Sequence, residues 1–199
     1  MSIIIGINAF HADSSAAIFK NGELLFAIEE EKINRQKHWA GFPEESIKKC
    51  LEYANIDASL VSDVSINSNP TSNLNKKIPY FLKNYLFGIK KREIFQRIKN
   101  KFNIKKYLTN NLNFNKNIKI HYVDHHLSHI ASSFYPSNFE ESLALSIDGF
   151  GDFSSLNIAK CKIGEIKILH KVFFPNSLGI FYEMMTQLLG FQNYGDEYK

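Results

Sequence analysis

The sequence predicts a duplicated α/β fold, with mixed β-sheets flanked by helices. Three observations lead there: strand and helix patterns alternate along the chain, a stretch near the N-terminus returns 140 residues later, and 44% apolar residues with 14% aromatics suffice for a packed core.

Taken in order, the first strands span Ser2 to Ala9, Ser15 to Lys20 and Glu23 to Glu29, and Asn21-Gly22 supplies the tight hairpin between the last two. Phe42-Pro43-Glu44-Glu45 opens a helix running through Asn55. Proline and acids suit its first turn, and Ile47, Leu51 and Ala54 recur at helical spacing. Val61 to Asn67 reads as a strand ending at Asn69-Pro70, and Lys119 to Val123 as another. A helix then runs from His125 to Phe134, up to Pro136. Leu143 to Ile147 is an apolar strand that delivers Asp148 at its end. Ile166 to Phe173 is a later strand, Ser177 to Leu189 a helix, and Asn193 to Lys199 a polar loop.

The repeat makes the architecture more specific. Ile7 to Ser15 matches Ile147 to Ser155 at a constant offset of 140, Ile18/Ile158 and Lys20/Lys160 keep the register, and Gly22-Glu23 pairs with Gly164-Glu165 after a two-residue slip. Two such meanders, each with a polar turn after its first strand, are what a duplicated nucleotide-binding fold of the actin-like ATPase and sugar-kinase type requires. Residues 1–140 then form a first lobe and 141–199 the start of a second. A complete second lobe needs further strands and helices, so the reading expects a missing C-terminal portion.

Charge is uneven. Thr71 to Asn117 holds twelve Lys or Arg against Glu93, a local +11, while the remainder carries twelve basic and nineteen acidic residues. That block reads as a basic helical insert at about 71–117, with Ile94, Phe95, Ile98 and Phe102 along one face. No nucleic-acid motif accompanies the charge. The apolar run from Ser2 to Ile7 is too short for a signal peptide or a membrane span, so a cytoplasmic protein without a membrane partner is expected. Cys50 and Cys161 have no metal-ligand spacing and read as small core residues.

Four of the seven histidines fall between His121 and His129. On a helix, His125 and His129 stand one turn apart and can offer two imidazole nitrogens to one cation, and Asp148 can add a carboxylate. Two histidines and a carboxylate with open positions suit iron(II), manganese or zinc. Asp148-Gly149-Phe150-Gly151-Asp152 is a glycine-rich turn. Its amides can converge on a phosphate while a carboxylate holds a bridging metal, which makes Gly149, Gly151 and Asp152 nucleotide-binding candidates. His11 and Asp13 occupy the matching turn of the first half. Either can move a proton, and Asp13 and Ser14 can also simply satisfy the turn's own amides.

Gly6 to Ala17, Glu29 to Arg35, His125 to Phe134 and Asp148 to Asp152 together resemble the nodulation and antibiotic O-carbamoyltransferases, as do Ser177 to Tyr182 and Gly195 to Lys199. The resemblance covers the chain apart from the basic insert. It implies a domain similar to the tRNA threonylcarbamoyl-transfer proteins, bearing iron(II) or another divalent transition metal. It further implies that ATP and carbamoyl phosphate yield a carbamoyl-adenylate, whose carbonyl is attacked by a hydroxyl of a sugar-like small-molecule acceptor. His125, His129 and Asp148 match the family's metal positions, and His11 and Asp13 its first-turn motif near the transfer site. The sequence departs from the family by stopping after Tyr198-Lys199, before the rest of the nucleotide pocket and a later carboxylate ligand, and by lacking the separate domain that makes the adenylate. The 199 residues are therefore expected to be inactive alone. Hydroxyl activation falls to His11 or Asp13, and the sequence does not choose. Two rival readings remain: a phosphotransferase of the same fold, which would hold Mg²⁺ with carboxylates rather than histidines, and a non-catalytic basic binding module.

Overall fold

The structure, a computed structural model, describes residues 2–83, 99–193 and 195–196. These fall into two compact units, the first from residues up to 70 and from 99 to 123, the second from 71–83 and from 124 onward. The units part between Val123 and Asp124, earlier than the division at 140 read from the sequence.

In the first unit, β1 (Ile3–Asn8), β2 (Ser15–Lys20) and β3 (Glu23–Glu29) form an antiparallel meander. Asn21 (φ 51°) and Gly22 (φ 88°) both take the left-handed conformation that a two-residue hairpin needs. The chain continues through α1 (Glu30–Asn34) and α2 (Glu44–Ala54) to β4 (Asp63–Ile66), which lies parallel to β1, and β5 (Lys119–Tyr122) lies parallel to β4. The sheet order is β3-β2-β1-β4-β5. Its core gathers Ile3, Ile5, Ile7 and Ile18 with Ile47 and Cys50 of α2, and with Ile104 and Leu108 of α4 (Ile104–Asn111). Burying each such aliphatic side chain contributes about 1.5–3 kcal/mol. Helix α2 begins at Glu44, with Pro43 just outside it, and ends at Asn55 in the left-handed conformation.

Glu30 was not singled out in the sequence, yet it anchors α2. Its buried carboxylate accepts from the Glu45 and Ser46 amides at 3.2 and 2.7 Å, and from Ser46 Oγ at 2.6 Å. An anion there satisfies helix N-terminal amides that otherwise lack partners.

The second unit carries α3 (Leu74–Lys83), α5 (His125–Phe134), the meander β6 (Glu141–Gly151), β7 (Ser154–Lys162) and β8 (Glu165–Phe173), and α6 (Leu178–Leu188). The 140-residue repeat extends to pairing register. Ile3↔Lys20, Ile5↔Ile18 and Ile7↔Ala16 in the first unit correspond to Leu143↔Lys160, Leu145↔Ile158 and Ile147↔Leu156 in the second. Helix α5 lays Ile130 and Phe134 on Ala159 and Cys161. With a mixed sheet in one unit and a repeated meander in the other, each with flanking helices, the chain has a mixed α/β architecture.

The basic segment is not uniformly solvated. Ile104, Leu108, Leu112 and Phe114 are core residues of the first unit, because α4 is amphipathic and turns Lys105 and Lys106 outward. Helix α3 belongs to the second unit, where Tyr80 packs edge-on against Phe153 and Phe174. Of the apolar stripe read in this segment, Ile94, Phe95 and Ile98 lie outside the described residues, as does most of the loop from Asn193 to Lys199. No described helix is long and apolar enough to cross a membrane.

Candidate functional site

Asp124 caps α5, its Oδ1 accepting from the Leu127 amide at 3.3 Å, so His125 enters the first turn and His129 follows one turn later on the same face. His125 Nε2 lies 2.6 Å from Asp148 Oδ2, and His129 Nε2 lies 3.1 Å from His125 Nε2 and 3.8 Å from Asp148 Oδ2. Two donors bound cis to one cation at about 2.1 Å stand about 3.0 Å apart, so the donor set fits a shared transition metal. The side chain of His125 is almost wholly buried and that of His129 is 54% exposed, which leaves the cluster open on the His129 side. Hydrogen bonds from His125 and then His129 hold the Asp148 carboxyl far below the usual carboxylate range, against the opposing effect of burial. Asp148 therefore stays an anion suited to a cation. His126 faces the other way, fully buried between Ser146 Oγ and the Ser154 carbonyl, and burial lowers its basicity.

The strand that carries Asp148 is longer than its apolar core suggested, continuing to Gly151 with a pairing irregularity after Ile147. Asp148 thus sits within β6 and not at its end. Ser177 Oγ lies 3.1 Å from the Asp148 carbonyl and 2.6 Å from that of Gly149, and the same oxygen caps α6 by accepting from the Ile180 amide. Gly179 packs so closely that a Cβ there would stand 2.5 Å from the Asp148 carbonyl.

Positive φ falls on Asp152 (50°) and Phe153 (73°), not on Gly149 or Gly151, because both glycines are still in strand conformation. Gly151 is needed for lack of bulk, since the His125 ring lies against it. Gly149 has open space where a side chain would stand. Asp152 Oδ2 accepts from the His125 amide at 2.9 Å, placing an anion at the start of α5. Asn73 Nδ2 donates to the Asp152 carbonyl, and Lys77, its basicity lowered by burial, feels both Asp152 and Asp124.

In the first unit, His11 and Asp13 lie in the turn after β1, where Phe10 and Asp13 both have φ of 59°. Asn8 Nδ2 donates to the Ala12 and Asp13 carbonyls, and Ser14 Oγ approaches the carbonyls of His11 and Gly41 at 3.0 and 2.8 Å. The imidazole that meets Asp13 is that of His38, with Nδ1 3.0 Å from Oδ1. Asp13, His38 and Glu31 bring donor atoms within 4.8 Å of one another. His38 escaped the sequence reading because it stands 25 residues from Asp13, in a stretch without periodicity. The Lys37-His38-Trp39 run of basic and aromatic residues was its one faint signal.

The chain belongs to the carbamoyltransferase family, since residues 3–199 match the family model described as the carbamoyltransferase N-terminus. Among curated relatives it is 32% identical over 203 residues to nodulation protein NolNO of Sinorhizobium fredii, covering 96% of this chain and 27% of that protein. It is 30% identical over 207 residues to the uncharacterized protein sll1178 of Synechocystis, covering 100% of this chain and 34% of that one. Nodulation protein NolO of Bradyrhizobium diazoefficiens is 42% identical over 80 residues, 39% of this chain and 14% of that protein. The chain spans about a third or less of the length of these relatives. Among solved structures, YeaZ from Pseudomonas aeruginosa aligns with a TM-score of 0.46 at 14% identity, covering 85% of this chain and 65% of that one.

Proposed function

We propose that this chain supplies the metal-bearing part of an O-carbamoyltransferase, which moves a carbamoyl group from carbamoyl phosphate, by way of a carbamoyl-adenylate made with ATP, to a hydroxyl of a sugar-like acceptor. The observation that carries the reading is the convergence of His125, His129 and Asp148 on one point in a chain of this family. His125, His129 and Asp148 would hold iron(II) or another divalent transition metal. Once bound, that ion supplies Lewis-acid stabilisation of charge on a phosphate or carbonyl oxygen. Asp152 fixes the start of α5 and so the direction of both histidines, while Gly149, with open space where a side chain would stand, would let the backbone approach a phosphate. His11 and Asp13 would serve the attacking hydroxyl, by proton transfer or by donation to the developing oxyanion. Two imidazoles in the donor set favour this over Mg²⁺-dependent phosphoryl transfer.

The test has two parts. After anaerobic purification, elemental analysis of the chain should find iron or a substitute, and His129→Ala should lower the occupancy. Unchanged metal content in the His125→Ala/His129→Ala double variant overturns the site. Transfer is then assayed with labelled carbamoyl phosphate, ATP and a polyhydroxylated acceptor, for the chain alone and joined to the remaining length of the Synechocystis relative. Loss of transfer in the double variant of the joined protein supports the reading, and undiminished transfer refutes it.

A further inference from the structure

We propose that Asn73 and Lys77, at the start of the basic segment, are positioning residues for the His125–His129–Asp148 site: they hold the Asp152 turn so that its carboxylate grips the His125 amide and aims the imidazole at Asp148. The proposal rests on the metal-binding reading above and gives this part of the basic segment a task in it.

All the contacts involved lie within the second unit. Asp152 Oδ2 accepts from the His125 amide at 2.9 Å, and His125 Nε2 meets Asp148 Oδ2 at 2.6 Å, so a shift of the Asp152 turn reaches the ring through a single hydrogen bond. The turn does not hold itself. Asp152 and Phe153 both stand at positive φ, a conformation that persists in such residues only where the surroundings impose it. Helix α3 supplies that support. Asn73 Nδ2 donates to the Asp152 carbonyl at 2.8 Å, and Tyr80, about two turns further along, packs edge-on against Phe153 and Phe174. Between them, Lys76 Nζ lies 5.5 Å from the centre of the Phe173 ring.

Charge completes the clamp. Two carboxylates serve the first turn of α5, Asp124 on the Leu127 amide and Asp152 on the His125 amide, and like charges so placed repel. Two lysines answer them: Lys171 Nζ pairs with Asp124 Oδ2 at 3.2 Å, and the half-buried Lys77 feels both Asp152 and Asp124. A cation taken partly out of water is costly unless it meets anions, so Lys77 and the two carboxylates hold one another in place. Simple Coulomb repulsion makes the opposite prediction for a metal, since a lysine near a cation site weakens binding and its removal should tighten it. A positioning role predicts looser binding, as for other residues that orient ligands from behind. The sign of the effect separates the two.

The test uses the 199-residue chain and two readouts. Without metal, Lys77→Met, which keeps an unbranched stem, should speed hydrogen exchange at the His125 amide by roughly tenfold or more as its charged acceptor loosens, while amides of β7 exchange as before. Cobalt(II) is then titrated in and followed by its visible absorption. Lys77→Met should raise the Kd by roughly 10–100-fold, and Lys77→Arg should keep most of the affinity. Asn73→Gly, which accepts the φ of 57° at that position and removes only the side-chain donor, should weaken binding in the same direction. Lys76→Gln removes a charge from the same helix and should not weaken it. Unchanged exchange at His125, tighter cobalt binding in Lys77→Met, or equal weakening in Lys76→Gln overturns the proposal. So does unchanged affinity in a folded Asn73→Gly, which carries the test if Lys77→Met does not fold. Failure of the unsubstituted chain to bind cobalt, with exchange at His125 as expected, refutes the metal reading and with it the claim that this clamp serves a metal.

Discussion

Gly151 and His125 are fitted face to face: a Cβ at residue 151 would lie 2.0 Å from Cδ2 of the His125 ring. The glycine hydrogen is thus what allows the imidazole to turn its Nε2 toward Asp148. Gly151→Ala should force the ring aside, costing about 1–3 kcal/mol as overpacking does and reducing metal retention. Thermal unfolding and elemental analysis on the same samples check both effects. A variant that melts normally and keeps its metal would show that the ring can move freely.

The backbone that carries Asp148 is held by Ser177. Its hydroxyl reaches the carbonyls of Asp148 and Gly149 and caps α6 at the same time. Ser177→Ala should lower stability by about 0.5–2 kcal/mol through the lost cap alone, whereas Ser177→Thr should keep most of it. Urea unfolding of the two variants is the measurement. Equal stability of the alanine and threonine forms would remove the hydroxyl from the account.

The positions that sequence made legible are those set by local periodicity and turn chemistry. Asn21-Gly22 needed two left-handed residues, and the structure has them. His125 and His129 needed only a helix to face the same way, and Asp124 starts that helix where the histidines begin. Apart from Asp148 with the histidine pair, long-range contacts were not legible. Nothing local to Glu30 announces that it will cap α2, and nothing local to His38 announces Asp13, because each pairing depends on a chain reversal that brings a distant segment alongside. The glycines were anticipated for positive φ, whereas Gly151 is required for lack of bulk, a property of the neighbouring ring and not of its own turn. Charge counting likewise hid the apolar face of α4.

Helix α3 gives a test within the basic segment. Tyr80 sits 5.5 Å from the Phe153 ring and 5.2 Å from that of Phe174, while Lys83 on the same helix is exposed. Aromatic pairs of this geometry contribute about 0.5–1.5 kcal/mol beyond the area they bury, and a single exposed charge contributes little. Tyr80→Ala should therefore destabilise the second unit clearly, and Lys83→Gln should leave it unchanged. Hydrogen exchange resolved along β6 to β8 reads the second unit directly. Protection unchanged in Tyr80→Ala would mean that α3 does not support this sheet.

Cys50 provides a pH-dependent check on the first core. Its thiol is fully enclosed among the apolar residues beneath the sheet, and burial pushes its pKa up to about 11. An ordinary cysteine ionises near 8.5, so below that pH both folded and unfolded chains hold the proton and Cys50 contributes no pH dependence. Between about 8.5 and 11 the unfolded chain releases the proton while the folded chain keeps it. Stability must then fall as pH rises through this window, since the folded state binds more protons than the unfolded one. Cys50→Ala should flatten that part of the profile, at the cost of a lower plateau from the small cavity it leaves. For the same reason the native chain should resist alkylation at Cys50 at pH 8, where an unfolded chain reacts readily, because the thiolate is the nucleophile. Denaturant unfolding at half-unit steps, with Cys50→Ala alongside, measures the slope. A wild-type profile no steeper than that of the alanine variant, together with rapid alkylation of the folded chain, would place Cys50 in contact with solvent and contradict the packing of α2 against the sheet.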